Sequence, residues 1–269
     1  MNEHPIPPRR PWRPRKDRPL PPRGARAPEG DGTILYGWHP VVEALRNSRR
    51  SFERLLLTEN ALRRLEEAGI VPPLRFELVR ADAIDRLLGP DAVHQGFYLE
   101  AAPLPSPTLD ALAPDALVLA LDQITDPHNV GAILRTAAAF GVSAVVTTAR
   151  HSPAATGVLA KSASGGLEHV PFVLVRNLAE ALLELGEHGF QRVGLDSEAP
   201  AALEEVPLRR PLVLALGAEG KGLRQRTLAS CNAAARLDMP GPIKSLNVSN
   251  AAAVALYAVR RALSGPAAP

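Results

Sequence analysis

The 269-residue chain has a single cysteine, Cys231, so it can form no internal disulfide, and nothing in it indicates an oxidising compartment. No apolar run approaches the ~18 residues that a membrane helix needs. The N-terminus opens polar and proline-rich, not with the apolar stretch of a secretory leader. The expectation is a soluble, cytoplasmic protein with no membrane partner. No His/Cys cluster has metal-ligand spacing, so no metal is expected. Two nucleotide signatures are missing as well. In GAEGKG, Gly220-Lys221 is followed by Gly222, and Ala215 stands where a phosphate loop needs its first glycine. No hydroxyl is placed for Mg²⁺, which excludes the nucleoside-triphosphatase reading. No G-x-G-x-x-G follows a strand, so a dinucleotide site has no support.

The charge that is present is unevenly spread. Residues 1–30 carry eight of the 31 Lys and Arg but three of the 28 acids, leaving 23 basic against 25 acidic residues in the body. Nine prolines in the same stretch forbid regular helix, and apolar residues are few, so residues 1–31 are predicted to be a disordered basic tail. A flexible polycation adds affinity for a polyanion through counterion release, largely independent of sequence. Trp12, alone among arginines, is a weak stacking signal.

After the tail, HPVVEALRNS reads as a helix, ERLLLTE as a strand, ALRRLEEAG as a helix ended by Gly69, and LRFELVR as a strand. ADAIDRLLG is a further helix and HQGFYLEA a closing strand. Strands alternating with helices over residues 32–102 indicate a small α/β domain. Residues 103–114 hold four prolines and read as a semi-rigid linker. From 115 to 265 the pattern is βαβ: LVLALDQI, a helix around NVGAILRTAAAFG, then SAVVTTA, with PFVLVR, FQRVGLD and LVLALG as further strands. Their near-continuous apolar character implies a parallel sheet buried on both faces. Asn177 with Glu180 makes a capping-box-like start to the helix ending at Gly189.

Three polar, glycine-bearing loops interrupt this apolar framework: DPHNVG (Asp126–Gly131), GAEGKG (Gly217–Gly222) and MPGPIKSLNVSN (Met239–Asn250). A loop that lies close to a ligand needs Gly where a Cβ would block the approach or φ is positive. Three loops of one design suggest one composite site.

On DPHNVGAILRTAAAFGV, LGAEGKGL and MPGPIKSLNVSNAAAVALY the chain resembles the SpoU-like (TrmH-type) 2′-O-ribose RNA methyltransferases of the SPOUT superfamily. The resemblance extends to YGWHPVVEAL (Tyr36–Leu45), VHQGFYLEA (Val93–Ala101) and SASGGLEHVPFVLVRNLAEAL (Ser162–Leu182), which are similar to the 23S rRNA guanosine branch of that family. It covers about residues 32–263. What the resemblance implies is an α/β SPOUT domain with a deep trefoil knot, the chain from about Leu212 threading an earlier loop. A small L30e-like RNA-binding domain would precede it. It further implies S-adenosylmethionine as cofactor, RNA as partner (23S rRNA or a large-subunit precursor), and a homodimer with each site completed across the interface. Asn129, Arg135, Glu219, Ser245 and Asn247 fall at the family's functional positions. Gly217, Leu237 and Leu246 fall at its cofactor-contacting ones, with Met239 and Gly241 between them in the same cleft.

The chemistry suits these residue types. A ribose hydroxyl attacks a sulfonium methyl in line, so oxygen and methyl must be held at ~3 Å and a proton removed. Because a guanidinium ordinarily keeps its proton, Arg135 is read as a clamp on the neighbouring phosphate and a stabiliser of developing alkoxide, not as the base. Asn129, Ser245 and Asn247 could also serve merely as helix starters, and Glu219 as a solvated loop acid. Two other functions stay open: a tRNA ribose methyltransferase, and a non-catalytic RNA-binding assembly factor.

Overall fold

The computed structural model describes residues 32–149 and 157–264. The basic tail and Trp12 therefore lie outside the described residues. The first unit runs β1 (Thr33–Tyr36), α1 (Trp38–Arg46), β2 (Phe52–Leu57), α2 (Glu59–Glu67), β3 (Phe76–Leu78), α3 (Ala81–Leu88) and β4 (Phe97–Ala101). Its sheet has the order β1-β4-β2-β3, with only β2 and β3 parallel. Helices on this sheet bury Val41, Val42, Ala61 and Leu65 against Leu55, Leu57, Phe97 and Leu99. β1, too short to stand out in the sequence, pairs antiparallel with β4 from Thr33 to Tyr36. The strand read from LRFELVR shrinks to three exposed residues at the sheet edge.

The second unit continues as β5 (Leu117–Asp122), α4 (Pro127–Ala139), β6 (Ala144–Thr148), α5 (Gly157–Ala163), α6 (Gly166–His169), β7 (Phe172–Val175), α7 (Leu178–Glu187), β8 (Gln191–Leu195), β9 (Leu212–Gly217), α8 (Gln225–Ala229), β10 (Ala233–Ala235) and α9 (Val248–Leu263). All five strand pairings in its six-stranded sheet are parallel, in the order β10-β8-β9-β5-β6-β7. Every residue of β5 is buried, as the continuous apolar run requires. On one face Leu117, Leu119 and Leu121 meet Ile133 of α4 and Leu256 of α9. On the other, Val118 and Ala120 meet Leu178, Leu182 and Leu185 of α7. At ~25 cal/mol per Å² of apolar surface, each such Leu contributes about 2 kcal/mol.

The linker is docked, not a free spacer. Ser106 Oγ donates to the Phe172 carbonyl at 2.7 Å, and Leu109 is buried in the α7-side core. The two units are joined by a buried ion pair. Arg50 and Glu168 side chains are 3% and 2% exposed, and Arg50 Nε and Nη2 both donate to the Glu168 carboxylate. Asn47 Nδ2 donates to the same carboxylate at 2.8 Å, while Arg50 Nη1 donates to the Ala102 carbonyl. Glu168 lies on α6, which is set tightly on α4: a Cβ on Gly166 would come within 2.8 Å of the Leu134 carbonyl oxygen.

Candidate active site

The site is built at the carboxyl ends of β8, β9 and β5, where a parallel sheet leaves loops and unpaired backbone free to meet a ligand. β9 ends at Gly217, paired in register with Asp122 at the end of β5. The chain then folds into a tight turn, with Gly222 N donating to the Ala218 carbonyl at 2.8 Å. Gly220 and Gly222 hold φ of 75° and 64°, the region that favours glycine. Gly217 is required for a different reason. A Cβ there would stand 1.9 Å from the carbonyl carbon of Gly222, so its small size lets the turn close on itself. Where the sequence leads one to expect a ligand against that glycine, the structure places the protein's own backbone. Beyond the turn, Arg224 donates from its backbone N and its Nε to the buried carboxylate of Asp122, at 3.0 and 2.8 Å. That bond anchors the loop to β5.

This turn forms one wall of a cleft of about 420 Å³. Leu216, Leu237, Leu246 and Val248 give it an apolar side, and Glu219, Lys244 and Ser245 a polar one. Gly217 and Met239 line it too. Of the cofactor positions, Gly217, Leu237, Met239 and Leu246 are thus brought together, whereas Gly241 is not among the lining residues and is exposed. Asp196 and Glu198, just past β8, also line the cleft. Neither belongs to the three loops that the sequence singles out, although their position after a parallel strand was the available signal.

Asn129 and Asn247 meet beside the cleft. Asn247 Nδ2 donates to Asn129 Oδ1 at 3.0 Å. The Oδ1 of Asn247 accepts from the backbone N of Ser249 at 2.9 Å and from its hydroxyl at 2.6 Å. Asn247 is therefore the N-cap of α9 and a partner of α4 at once, whereas Ser245 lies ahead of the helix and caps nothing. Asn129 is not a cap. Asp126 starts α4, its side chain accepting from His128 N at 2.9 Å, with Pro127 in the first turn. Asn129 is thereby free to reach across to α9. His128 Nδ1 lies 3.2 Å from Ser162 Oγ.

Arg135 stands apart. It is exposed on α4 and does not line the cleft. Six residues from Asn129, it is turned about 240° around the helix at ~100° per residue. Within one chain, then, Glu219 and Ser245 line the cleft and Asn129 pairs with Asn247 beside it, whereas Arg135 is outside the lining. Cys231 lies outside the cleft lining, its Sγ 3.5 Å from the Thr227 carbonyl oxygen. Burial raises its thiol to about 11, which leaves no nucleophilic thiolate near neutral pH. Among the described residues no group of three His, Cys, Asp or Glu could hold a metal ion, and no helix is long and apolar enough to cross a membrane.

Comparison with known proteins fits this geometry. The SpoU rRNA methylase family matches residues 116–257, and the RNA 2′-O ribose methyltransferase substrate-binding family matches residues 34–107. The 23S rRNA (guanosine-2′-O-)-methyltransferase RlmB of Nitrosomonas europaea is 36% identical over 232 residues, spanning 83% of this chain and 89% of that protein. The protein of the same name from Pseudomonas aeruginosa is 37% identical over 238 residues, spanning 84% and 95%. Among solved structures, an RNA 2′-O ribose methyltransferase is 27% identical with a TM-score of 0.70, over 85% of this chain and 88% of that one. The SpoU methyltransferase AviRb from Streptomyces viridochromogenes, solved with AdoMet, has a TM-score of 0.72 at 22% identity, over 86% and 89%, and shows likeness of fold.

Proposed function

The chain belongs to the SpoU rRNA methylase family, and from that premise we propose that it methylates a ribose 2′-hydroxyl of RNA, on a guanosine of 23S rRNA, with S-adenosylmethionine as methyl donor. The observation that carries this reading is the convergence of Gly217, Glu219, Leu237, Met239, Ser245 and Leu246 on one cleft, with the Asn129–Asn247 pair at its side.

The residues present suit the cofactor. The cleft is within the ~300–1,000 Å³ of small-molecule sites. Its apolar side offers a surface for adenine, while Asp196 and Glu198 offer acceptors for hydroxyl or ammonium groups. Bound there, S-adenosylmethionine supplies an electrophilic methyl group. The chain's own contribution is positioning and charge. Asn129 and Asn247 fix the start of α9 and present amide groups to the ribose side. Glu219, on the rim of the turn, takes a hydrogen bond from a ribose or base donor. Arg135 clamps the phosphate next to the reacting ribose and stabilises the developing alkoxide, and that phosphate or water accepts the proton.

Because Arg135 is exposed and turned from the cleft of its own chain, a homodimer completing each site across the interface accounts for its placement. Val254 and Tyr257 are exposed on α9, at 48% and 59%, which suits a helix face covered by a second copy. The place of β9 between β8 and β5 in the sheet, with α9 packed on the α4 side, suits the family's C-terminal knot. Residues 32–102 would serve as the RNA-holding, L30e-like domain and 115–265 as the catalytic one.

Mapping of ribose methylation in cells with and without the gene tests the reading. Loss of one 2′-O-methylguanosine from 23S rRNA is the expected result. An intact 23S pattern with a loss in tRNA would move the substrate to tRNA. Calorimetry showing no affinity for S-adenosylmethionine would leave a non-catalytic RNA-binding factor.

A further inference from the structure

The rim of the parallel sheet holds a second recess, beyond β5 from the cofactor cleft. It has a volume of about 270 Å³ and is lined by Thr148, Arg176, Asn177, Arg224, Arg226 and Thr227. Thr148 ends β6 and Arg176 follows β7, while the last three come from the chain leaving the glycine turn. Gly217–Gly222 thus face the cleft and Arg224–Thr227, their continuation, face the recess.

Its electrostatics are defined by few groups. Arg224 is committed to Asp122 at 2.8 Å, and Arg226 lies 4.0 Å from Glu180. Glu180 also accepts from Asn177 Nδ2 at 2.7 Å. Arg176 has no acid partner among the described residues. Among the described residues, three guanidinium groups against two carboxylates leave one positive charge. The N-terminus of the ten-residue α7, capped by Asn177, adds a partial positive charge on the same wall.

A second observation is independent of charge. Thr227 is 1% exposed, and its hydroxyl oxygen has no hydrogen-bond partner. A buried hydroxyl without a partner costs ~1–3 kcal/mol, and this one belongs to a residue in the wall of the recess.

We infer that this recess binds one backbone phosphate of the RNA substrate. Arg176 and Arg226 hold the phosphodiester oxygens, and the Thr227 hydroxyl donates to one of them. A monoanionic phosphodiester matches the single net positive charge, and its oxygens satisfy the unpaired hydroxyl. The strand whose ribose enters the cleft is thereby pinned a short distance along its backbone, by the same loop that shapes the cofactor site. The inference rests on the RNA reading above.

Arg176→Ala and Thr227→Val in the full chain test it, with a 23S rRNA transcript titrated over a range of salt. Arg176→Ala is expected to weaken RNA binding about tenfold, the worth of one charge-assisted bond, and to lower the slope of log affinity against log salt by ~0.7–0.9. Thr227→Val keeps the shape and removes the hydroxyl. It is expected to weaken RNA binding with no fall in melting temperature, and both variants should bind S-adenosylmethionine like the wild type. Wild-type RNA affinity and salt slope in both variants would overturn the recess and leave the methyltransferase reading standing. A wild-type protein that bound S-adenosylmethionine but no RNA would overturn both.

Discussion

Asn247 donates to Asn129 across 118 positions of sequence at 3.0 Å, and the same Asn247 caps α9 through the Ser249 backbone N. One side chain therefore fixes where the last helix starts and which face of α4 it meets. A helix cap contributes ~1 kcal/mol, and a link between two functional segments contributes geometry.

The two roles separate by mutation. Asn129→Ala should leave the melting temperature within ~2 °C of wild type and lower single-turnover methylation at least ~10-fold. Asn247→Ala should lose activity to a similar degree and about 1 kcal/mol of stability as well. Thermal melts beside rapid-quench kinetics check both, and equal stability of the two variants would contradict the capping role.

At Gly217 the expected injury is to the protein before the ligand. A Cβ 1.9 Å from the Gly222 carbonyl carbon forces the turn open, so Gly217→Val should lower stability and abolish S-adenosylmethionine binding together. Gly241 has open space where a Cβ would stand, with no atom within 4 Å, and should accept Ala with unchanged affinity. Calorimetry on folded protein reads both, and a Gly217→Val protein with wild-type affinity would remove the cofactor from this cleft.

Cys231 should be dispensable. Cys231→Ser is expected to retain nearly full activity, since no covalent thiolate step is needed, and the product should resist alkaline cleavage at the modified ribose, whose 2′-oxygen is no longer free to attack the phosphate. The raised thiol has a second consequence. The folded state holds a proton that the unfolded chain releases between the ordinary thiol value and about 11, so the wild type should lose stability as pH rises through that window. Cys231→Ser should lack this component, and melts at stepped pH would reveal it.

Arg135→Lys keeps the charge but loses the planar fork, and turnover should fall ~10²-fold with cofactor binding intact. If Arg135 serves the opposite subunit, mixing Arg135→Lys chains with Asn247→Ala chains restores part of the activity in the mixed dimer. No recovery on mixing would place Arg135 in its own chain's site. Deleting residues 1–30 should instead weaken RNA binding, flatten its salt dependence and spare the saturated rate.

Arg50→Ala leaves Glu168 buried without its cation, which should cost ~3–5 kcal/mol. Replacing both partners by Met should cost less, because no unpaired charge remains. Chemical denaturation of the three proteins decides it, and a double variant as unstable as Arg50→Ala would contradict the ion-pair account.

Much of this was legible in the chain itself. Continuous apolar runs such as LVLALD and LVLALG determined a parallel sheet buried on both faces, since only a doubly covered strand can be apolar at every position. Glycine, proline and cap residues marked most helix ends, and two of the three polar loops supply more than half of the cleft lining. Short elements escaped, because β1, β10 and α8 have too few residues for a period to show. Asn129 is not a mere helix starter, because Asp126 three positions earlier caps α4 and Asn129 pairs with α9.

Which groups become neighbours is settled by packing alone. Local pattern carries no information on pairs such as Asn129 and Asn247, Asp122 and Arg224, or Arg50 and Glu168, each separated by more than a hundred residues. The same holds for the reason behind Gly217, where the close approach is to the protein's own turn. The longer elements, their order and the residue types fit for ribose chemistry were readable from the chain. Packing of α4 and α9 on one face of the sheet left Arg135 outside the cleft lining, and packing of α8 beside α7 on the other buried the Thr227 hydroxyl without a partner, because burial is a property of the assembled chain.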